Sequence, residues 1–255
     1  MSFGLGRGRK LIDEGIAGPE LPALPDDLLT NRSGGHLDLG SWFQKPDRPL
    51  ELEIGFGKAA FLLQQAPRQP ETNFIGLEYA YEFYLYGADR LRRAAVANVK
   101  VLCTDAGEFM HWRVPDASLA VIHLYFADPW PKSKHNRRRM VQDRFLLDCH
   151  RTLIPGGELR IVTDHDDYWA WIDEHLNRFT GGEPGTLGEA GPSRNLFSRH
   201  LFTPVIPAKG ADDDQAAIAE GVDTPAVELV GSNFERKYKV EGRDFHAAVL
   251  RKPVG

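Results

Sequence analysis

Five apolar runs of six to eight residues recur along the chain with helix-like segments between them. This alternation narrows the fold more than any other feature. The runs are LELEIG (50–55), NFIGLE (73–78), VKVLCTD (99–105), LAVIHLYF (119–126) and ELRIVTD (158–164). Helical spacing appears in KAAFLLQQA (58–66), YEFYLYGADRLRRAAVAN (81–98), MVQDRFLLDCHRTL (140–153) and DYWAWIDEHLNRF (167–179), and PGG after the third of these reads as a helix stop. Runs of this length predict buried parallel strands. Strands alternating with helices predict a parallel sheet covered on both faces, joined by right-handed crossovers. FHAAVLRK (245–252) reads as a closing strand, antiparallel at or near an edge. Residues 1–48, rich in Gly, Pro and turn formers, read as an irregular arm whose GRGRK either touches RNA phosphates or is a solvated tail. The domain proper is expected over 49–255, with a loop-rich insertion at 181–230 that includes an acidic segment, 212–223.

With 255 residues, 26% of them charged and a net charge of −5, the protein does not coat a polyanion by bulk charge. Any nucleic-acid partner must meet a local patch. Cys103 and Cys149 lack metal-ligand spacing and read as two buried, reduced thiols, which suits a cytoplasmic protein without a metal. MSFGLGRGRK is followed by no apolar core of a signal peptide, and LAVIHLYFA is far too short for a membrane span. The expectation is a soluble protein; nothing in the sequence speaks to an oligomeric partner.

The first run ends in Gly55-Phe56-Gly57-Lys58-Ala59-Ala60, which fits a G-x-G-x-x-A dinucleotide fingerprint. In an open α/β sheet, ligands bind beyond the carboxyl ends of the strands, where Gly55 and Gly57 let backbone approach a ligand closely. Glu78 ends the second run, placed to accept hydrogen bonds from a ribose diol, and Asp105 closes the third. With Glu53 just before the loop, three carboxylates share one sheet edge. They complement S-adenosyl-L-methionine (SAM), which carries a sulfonium, an ammonium and a ribose, and they would repel a pyrophosphate. For each acid alone, a solvated strand end is an equal reading.

FADPWPKSKHNRRRM (126–140) follows the fourth run and opens on the same edge. Pro129 and Pro131 fix φ and bias Asp128 and Trp130 to extended backbone, which stiffens the corner. Asp128 is placed to accept from a base edge, with Trp130 or Phe126 as a stacking face; the plain alternative is a helix-capping Asp beside a packing Trp. Lys132, Lys134, His135, Arg137, Arg138 and Arg139 contain no acid among them. Such a run is often only a solvated face. Leaving the crevice directly after Asp128, it is placed to hold a phosphate backbone.

EIGFGKA, FIGLE, VLCTDA, FADPWPKSKHNRRRM, IVTDHDDY and SNFERKY, covering about residues 50–170 and 232–250, resemble the tRNA (guanine-N7)-methyltransferases. The resemblance implies a SAM-dependent transferase of class 2.1.1 that methylates guanine 46 in the tRNA variable loop. It also implies a Rossmann-like class I fold: a mostly parallel seven-stranded sheet, helices on both faces, one antiparallel strand near the C-terminus. By the same resemblance Glu53, Gly55, Gly57, Glu78, Asp105, Ala106 and Asp128 bind the cofactor, with Asp128 catalytic. Lys132, Asp164, Ser232, Asn233, Phe234 and Glu235 fall on the substrate side, and Lys134, His135, Asn136, Arg137, Arg138 and Arg139 on the tRNA-contacting loop. Departures are Ala59 for a third glycine, Ala127 for Pro or Ser, and Ser232 for Thr. A nicotinamide-dependent dehydrogenase, or an RNA-binding protein that kept the fold without the chemistry, stands as the rival class.

Overall fold

The computed structural model of the protein describes residues 5, 8–180, 196–200 and 245–254. Seven strands form one sheet: β1 (Leu50–Ile54), β2 (Asn73–Glu78), β3 (Val99–Cys103), β4 (Leu119–Tyr125), β5 (Leu153–Thr163), β6 (Ser198–His200) and β7 (His246–Arg251). Their order is β3-β2-β1-β4-β5-β7-β6. Strands β1 to β5 pair in parallel, and β7 runs antiparallel between β5 and β6. The expected architecture is present, one antiparallel strand included. The chain moves outward from β1 to β3 and then returns to place β4 against β1, so the topological switch point lies between β1 and β4. That is where an open α/β sheet leaves a crevice.

Helices α1 (Ala60–Gln65) and α2 (Tyr81–Arg93) cover one face; α3 (Ala106–Trp112), α4 (Asp143–Thr152) and α5 (Asp166–Phe179) cover the other. Alternate residues of each strand feed the two layers. Leu52 and Ile54 join the larger core, while Glu51 and Glu53 point to the opposite face and are nevertheless buried. In α5, Tyr168, Ile172, Leu176 and Phe179 form one buried stripe at helical spacing. Each such side chain contributes roughly 1.5–3 kcal/mol of burial free energy.

Four local expectations change. α2 stops at Arg93 rather than near 98: Ala95 turns to φ 52°, and Asn98 Nδ2 donates to the carbonyls of Ala66, Gln69 and Thr72, closing a turn. α3 was not expected; Asp105 caps it by accepting from Glu108 N at 2.9 Å, and the D-x-x-E spacing was its sequence signal. PGG (155–157) does follow the end of α4 at Thr152, but β5 begins at Leu153 rather than at 158, and its pairing with β4 shifts register there. Cys103 is exposed, so only Cys149 is a buried thiol.

The described part of the N-terminal segment packs on the domain. Val101 N donates to Ile16 O and Gly18 N to Val101 O, which covers the outer edge of β3. Leu39 and Phe43 enter the larger core, and Arg9 pairs with Asp89. Most of the 181–230 insertion, including its acidic segment, lies outside the described residues. No helix among the described residues is long and apolar enough to cross a membrane.

Candidate active site

The crevice at the carboxyl ends of β1, β2, β3 and β4 encloses about 850 Å³, and Gly55, Gly57, Glu78, Asp105, Ala106 and Asp128 contribute to its walls. The glycine loop forms one wall. Gly55, Gly57 and Ala59 all take left-handed backbone, at φ 75°, 52° and 57°. Nothing lies within 4 Å of where a Cβ on Gly55 would be, so its backbone faces open space. Phe56 is driven inward instead, between Gly76 and Gly87: a Cβ on either glycine would meet its ring at 2.8 or 2.7 Å. Buried Phe56 thereby anchors the loop.

Four of the loop's amides are already engaged. Gly55 N and Phe56 N donate to Leu77 O, Ala59 N donates to Phe56 O, and Gly57 N donates to Glu78 Oε2 at 2.9 Å. Ala80 N holds Glu78 Oε1 at 2.9 Å. A pyrophosphate needs free N–H donors at such a loop, and it finds a fixed carboxylate. This disfavours the dinucleotide reading. Two residues before Gly55, Glu53 is 5% exposed and its Oε2 has no hydrogen-bond partner. Burial, and secondarily the nearby charge of Glu78, pushes its carboxyl up to about 8. Glu53 is not itself on the crevice wall; Glu78 and Asp105 are, and these carboxylates, with the orphaned buried carboxyl of Glu53 two residues before the loop, suit a cationic ligand such as SAM.

The opposite wall is the corner after β4. Phe126 and Trp130 flank Asp128 at φ 54° and 43°. The expectation of an extended Trp130 before Pro131 is therefore wrong; left-handed aromatic residues cost about 1–3 kcal/mol each and persist only where surroundings hold them. Asp128 caps no helix and is exposed in the crevice mouth. The Arg138 guanidinium lies over the Trp130 ring at 4.9 Å, and His135 meets its edge at 5.7 Å. Trp130 thus spends part of its surface on the protein's own basic segment.

That segment is a 3-10 helix, Ser133–Arg138. Lys132, Lys134, Arg137 and Arg138 are exposed, with His135 and Asn136 half-buried. Arg137, Arg138 and Arg139 all reach the crevice. Arg139 differs from its neighbours in being 3% exposed, with Nε and Nη2 held inside the fold, which sets it against the expectation of a plain RNA contact. Asp164 is half-buried just after β5 and is not on the crevice wall. Ser232, Asn233, Phe234 and Glu235 lie outside the described residues. Sequence reasoning passed over Tyr79, Phe83 and Arg144, which also line the crevice. Tyr79 directly follows Glu78 and is largely exposed.

A protein-family profile described as "Putative methyltransferase" matches residues 47–183. A protein of Nitrobacter hamburgensis named tRNA (guanine-N(7)-)-methyltransferase is 38% identical over 181 residues, 70% of this chain and 69% of that protein. One of the same name from Rhodopseudomonas palustris is 36% identical over 178 residues, 69% of this chain and 70% of its own length. A third, from Aeromonas hydrophila, is 40% identical over 147 residues, 58% of this chain and 62% of that protein.

Proposed function

We propose a function from one premise: this chain belongs to the tRNA (guanine-N7)-methyltransferase family. It transfers a methyl group to N7 of guanine in tRNA, and the guanine is that at position 46 of the variable loop. The observation that carries this reading is the pairing of two walls across one crevice: an acid-lined glycine loop whose amides are closed to phosphate, and Asp128 at the start of an exposed basic turn.

When bound, SAM supplies the electrophilic methyl. Glu53 and Glu78 provide negative charge toward its cationic end and its ribose, while Asp105 and Ala106 bound the far side of the same wall. Guanine N7 carries an in-plane lone pair and needs no deprotonation, so the protein's task is alignment. Asp128 accepts from the N1–H and N2–H donors of the base and favours the positive charge that grows on the ring. Lys132, Asp164 and the Ser232–Glu235 segment belong to the substrate side. Lys134, Arg137 and Arg138 hold phosphates beside them.

Labelled SAM incubated with bulk tRNA, followed by nucleoside analysis and mapping, tests the reading. Label recovered as 7-methylguanosine at position 46 is the expected result. Label in another nucleoside, or none in tRNA, would overturn it.

A further inference from the structure

We propose that Arg139 is a positioning residue for Asp128 rather than a contact to RNA. The proposal rests on the reading that the Asp128 corner handles the base. Among the cations between Lys132 and Arg139, Lys132, Lys134, Arg137 and Arg138 are exposed, and Arg139 alone is buried. Its Nε donates to the Pro129 carbonyl at 2.9 Å, the oxygen of the Pro129–Trp130 peptide directly after Asp128–Pro129. Its Nη2 pairs with the Asp167 carboxylate in the first turn of α5. The guanidinium lies 5.4 Å from the Tyr168 ring centroid and 5.3 Å from that of Trp171. One planar cation therefore ties the corner to three side chains of α5.

The surroundings reinforce the tie. Trp171 Nε1 donates to Val141 O at 2.7 Å, and Gln142 Nε2 donates to the carbonyls of Arg137 and Arg139. The segment after the basic turn is thus fixed to α5 and to the start of α4. The corner needs such a hold, because Trp130 occupies a backbone region that a bulky L-residue adopts only under constraint. A buried guanidinium whose Nε and Nη2 are engaged inside the fold has less left for a phosphate than its exposed neighbours. A fork of fixed donors, however, suits holding one carbonyl at one place.

This division separates Arg139 from its neighbours experimentally. Arg139→Ala is expected to lower kcat for tRNA methylation about 10- to 100-fold, the scale of a small misplacement at a reacting centre. The tRNA KM should stay within about twofold, and the salt dependence of binding should not change. Replacing Arg137 and Arg138 together by Gln should act on KM instead and shallow the log–log salt slope by about 1.4 to 1.8. Arg139→Gln keeps an N–H donor but no charge, so it should recover part of the kcat lost in Arg139→Ala. Hydrogen exchange at residues 126–130 should quicken in both Arg139 variants and do so more than in the Arg137/Arg138 variant, which loses only the Arg138 stack on Trp130.

A raised KM with a shallower salt slope in Arg139→Gln would overturn the proposal, as would unchanged kcat and exchange. If Arg139→Ala does not fold, Arg139→Gln and Asp167→Asn decide by the same readouts. Failure of the functional reading is distinct: wild-type protein would then transfer no methyl to tRNA guanine, while hydrogen exchange would still report whether Arg139 holds the corner.

Discussion

The glycine-loop wall of the crevice is held by groups close to it in sequence, largely backbone with the Glu78 carboxylate and the Phe56 ring, whereas the Asp–Pro–Trp wall is held by side chains from farther along the chain. On the first wall, Leu77 O, Phe56 O and the Glu78 carboxylate absorb the loop amides, and all of these groups lie within about 25 residues. On the second, Arg139 and its α5 partners hold a corner that places Phe126 and Trp130 in left-handed backbone. The teaching of this contrast is that a ligand-binding edge can follow from sheet topology alone. Orienting a base needs a second layer of tertiary contacts to fix the corner.

Asp128→Ala should mark the contrast most strongly. On the second wall, an exposed carboxylate with no structural load should cost kcat about 100-fold or more and leave thermal stability near wild type. Cofactor affinity should change far less. A variant that methylates tRNA at the wild-type rate with both substrates saturating would move the chemistry away from this corner.

Glu53→Gln probes the first wall through pH. Burial raises the carboxyl of Glu53 from its ordinary value near 4.5 to about 8. Below about pH 4.5 both folded and unfolded forms are protonated and the group takes nothing from stability. As pH rises from there to about 8 the unfolded chain ionises first, so stability is lost, by at most about 1.4 kcal/mol per pH unit. Glu53→Gln removes that slope: ligand-free variant and wild type should melt alike near pH 4, and the variant should melt higher at pH 8. Binding of a cation beside Glu53 should release a proton, so wild-type SAM affinity should rise with pH over the same window while the variant's stays flat. Parallel pH slopes in melts and calorimetric titrations would show that Glu53 is not the titrating group.

Much of the first wall was legible because a parallel sheet sends every strand's carboxyl end to one edge. Glu78 and Asp105 therefore share the crevice wall once the strands are recognised, while Glu53 lies buried off that wall. The loop's closure to phosphate was not legible, because it depends on which way the Glu78 carboxylate turns. Helix α3 escapes the sequence reading although Asp105 and Glu108 carry a capping spacing, because Asp105 closes a strand and reads there as a site acid or a solvated strand end. The burial of Arg139 was hidden for a different reason. Its anchors, Asp167, Tyr168 and Trp171, are about 30 residues away, and in a run of cations nothing local singles out the one that faces inward. The end of α2 was overrun because RRAAVAN has good helix propensity, while the three carbonyls that capture Asn98 come from a distant turn.

Gly87→Ala tests whether the loop anchor and the ligand surface are one device. The new methyl would lie 2.7 Å from Phe56 Cε2 and 2.9 Å from Gly57 O, so Phe56 and the loop must shift. A stability loss of about 1–3 kcal/mol is expected from such overpacking, accompanied by weaker SAM binding in calorimetry. Lost stability with unchanged affinity would separate Phe56 packing from the shape of the ligand wall.

The smallest effect is expected at Ala59, where the family's third glycine is absent. Ala59 adopts φ 57° and ψ 32° and is fully buried. Left-handed backbone costs an alanine roughly 1–2 kcal/mol, a strain that glycine would relieve. Two terms oppose the gain: the lost methyl removes about 0.8 kcal/mol of burial, and a more flexible unfolded chain takes about 0.4–1 kcal/mol more. Ala59→Gly should therefore shift stability by less than about 1 kcal/mol in either direction, read as a denaturant midpoint close to wild type with an unchanged slope. Unaltered SAM affinity in the same variant would mean that the methyl is accommodated without displacing the loop. A marked tightening would mean that Ala59 holds the first wall away from its best geometry, and that this wall, like the corner opposite, stores strain at its ligand surface.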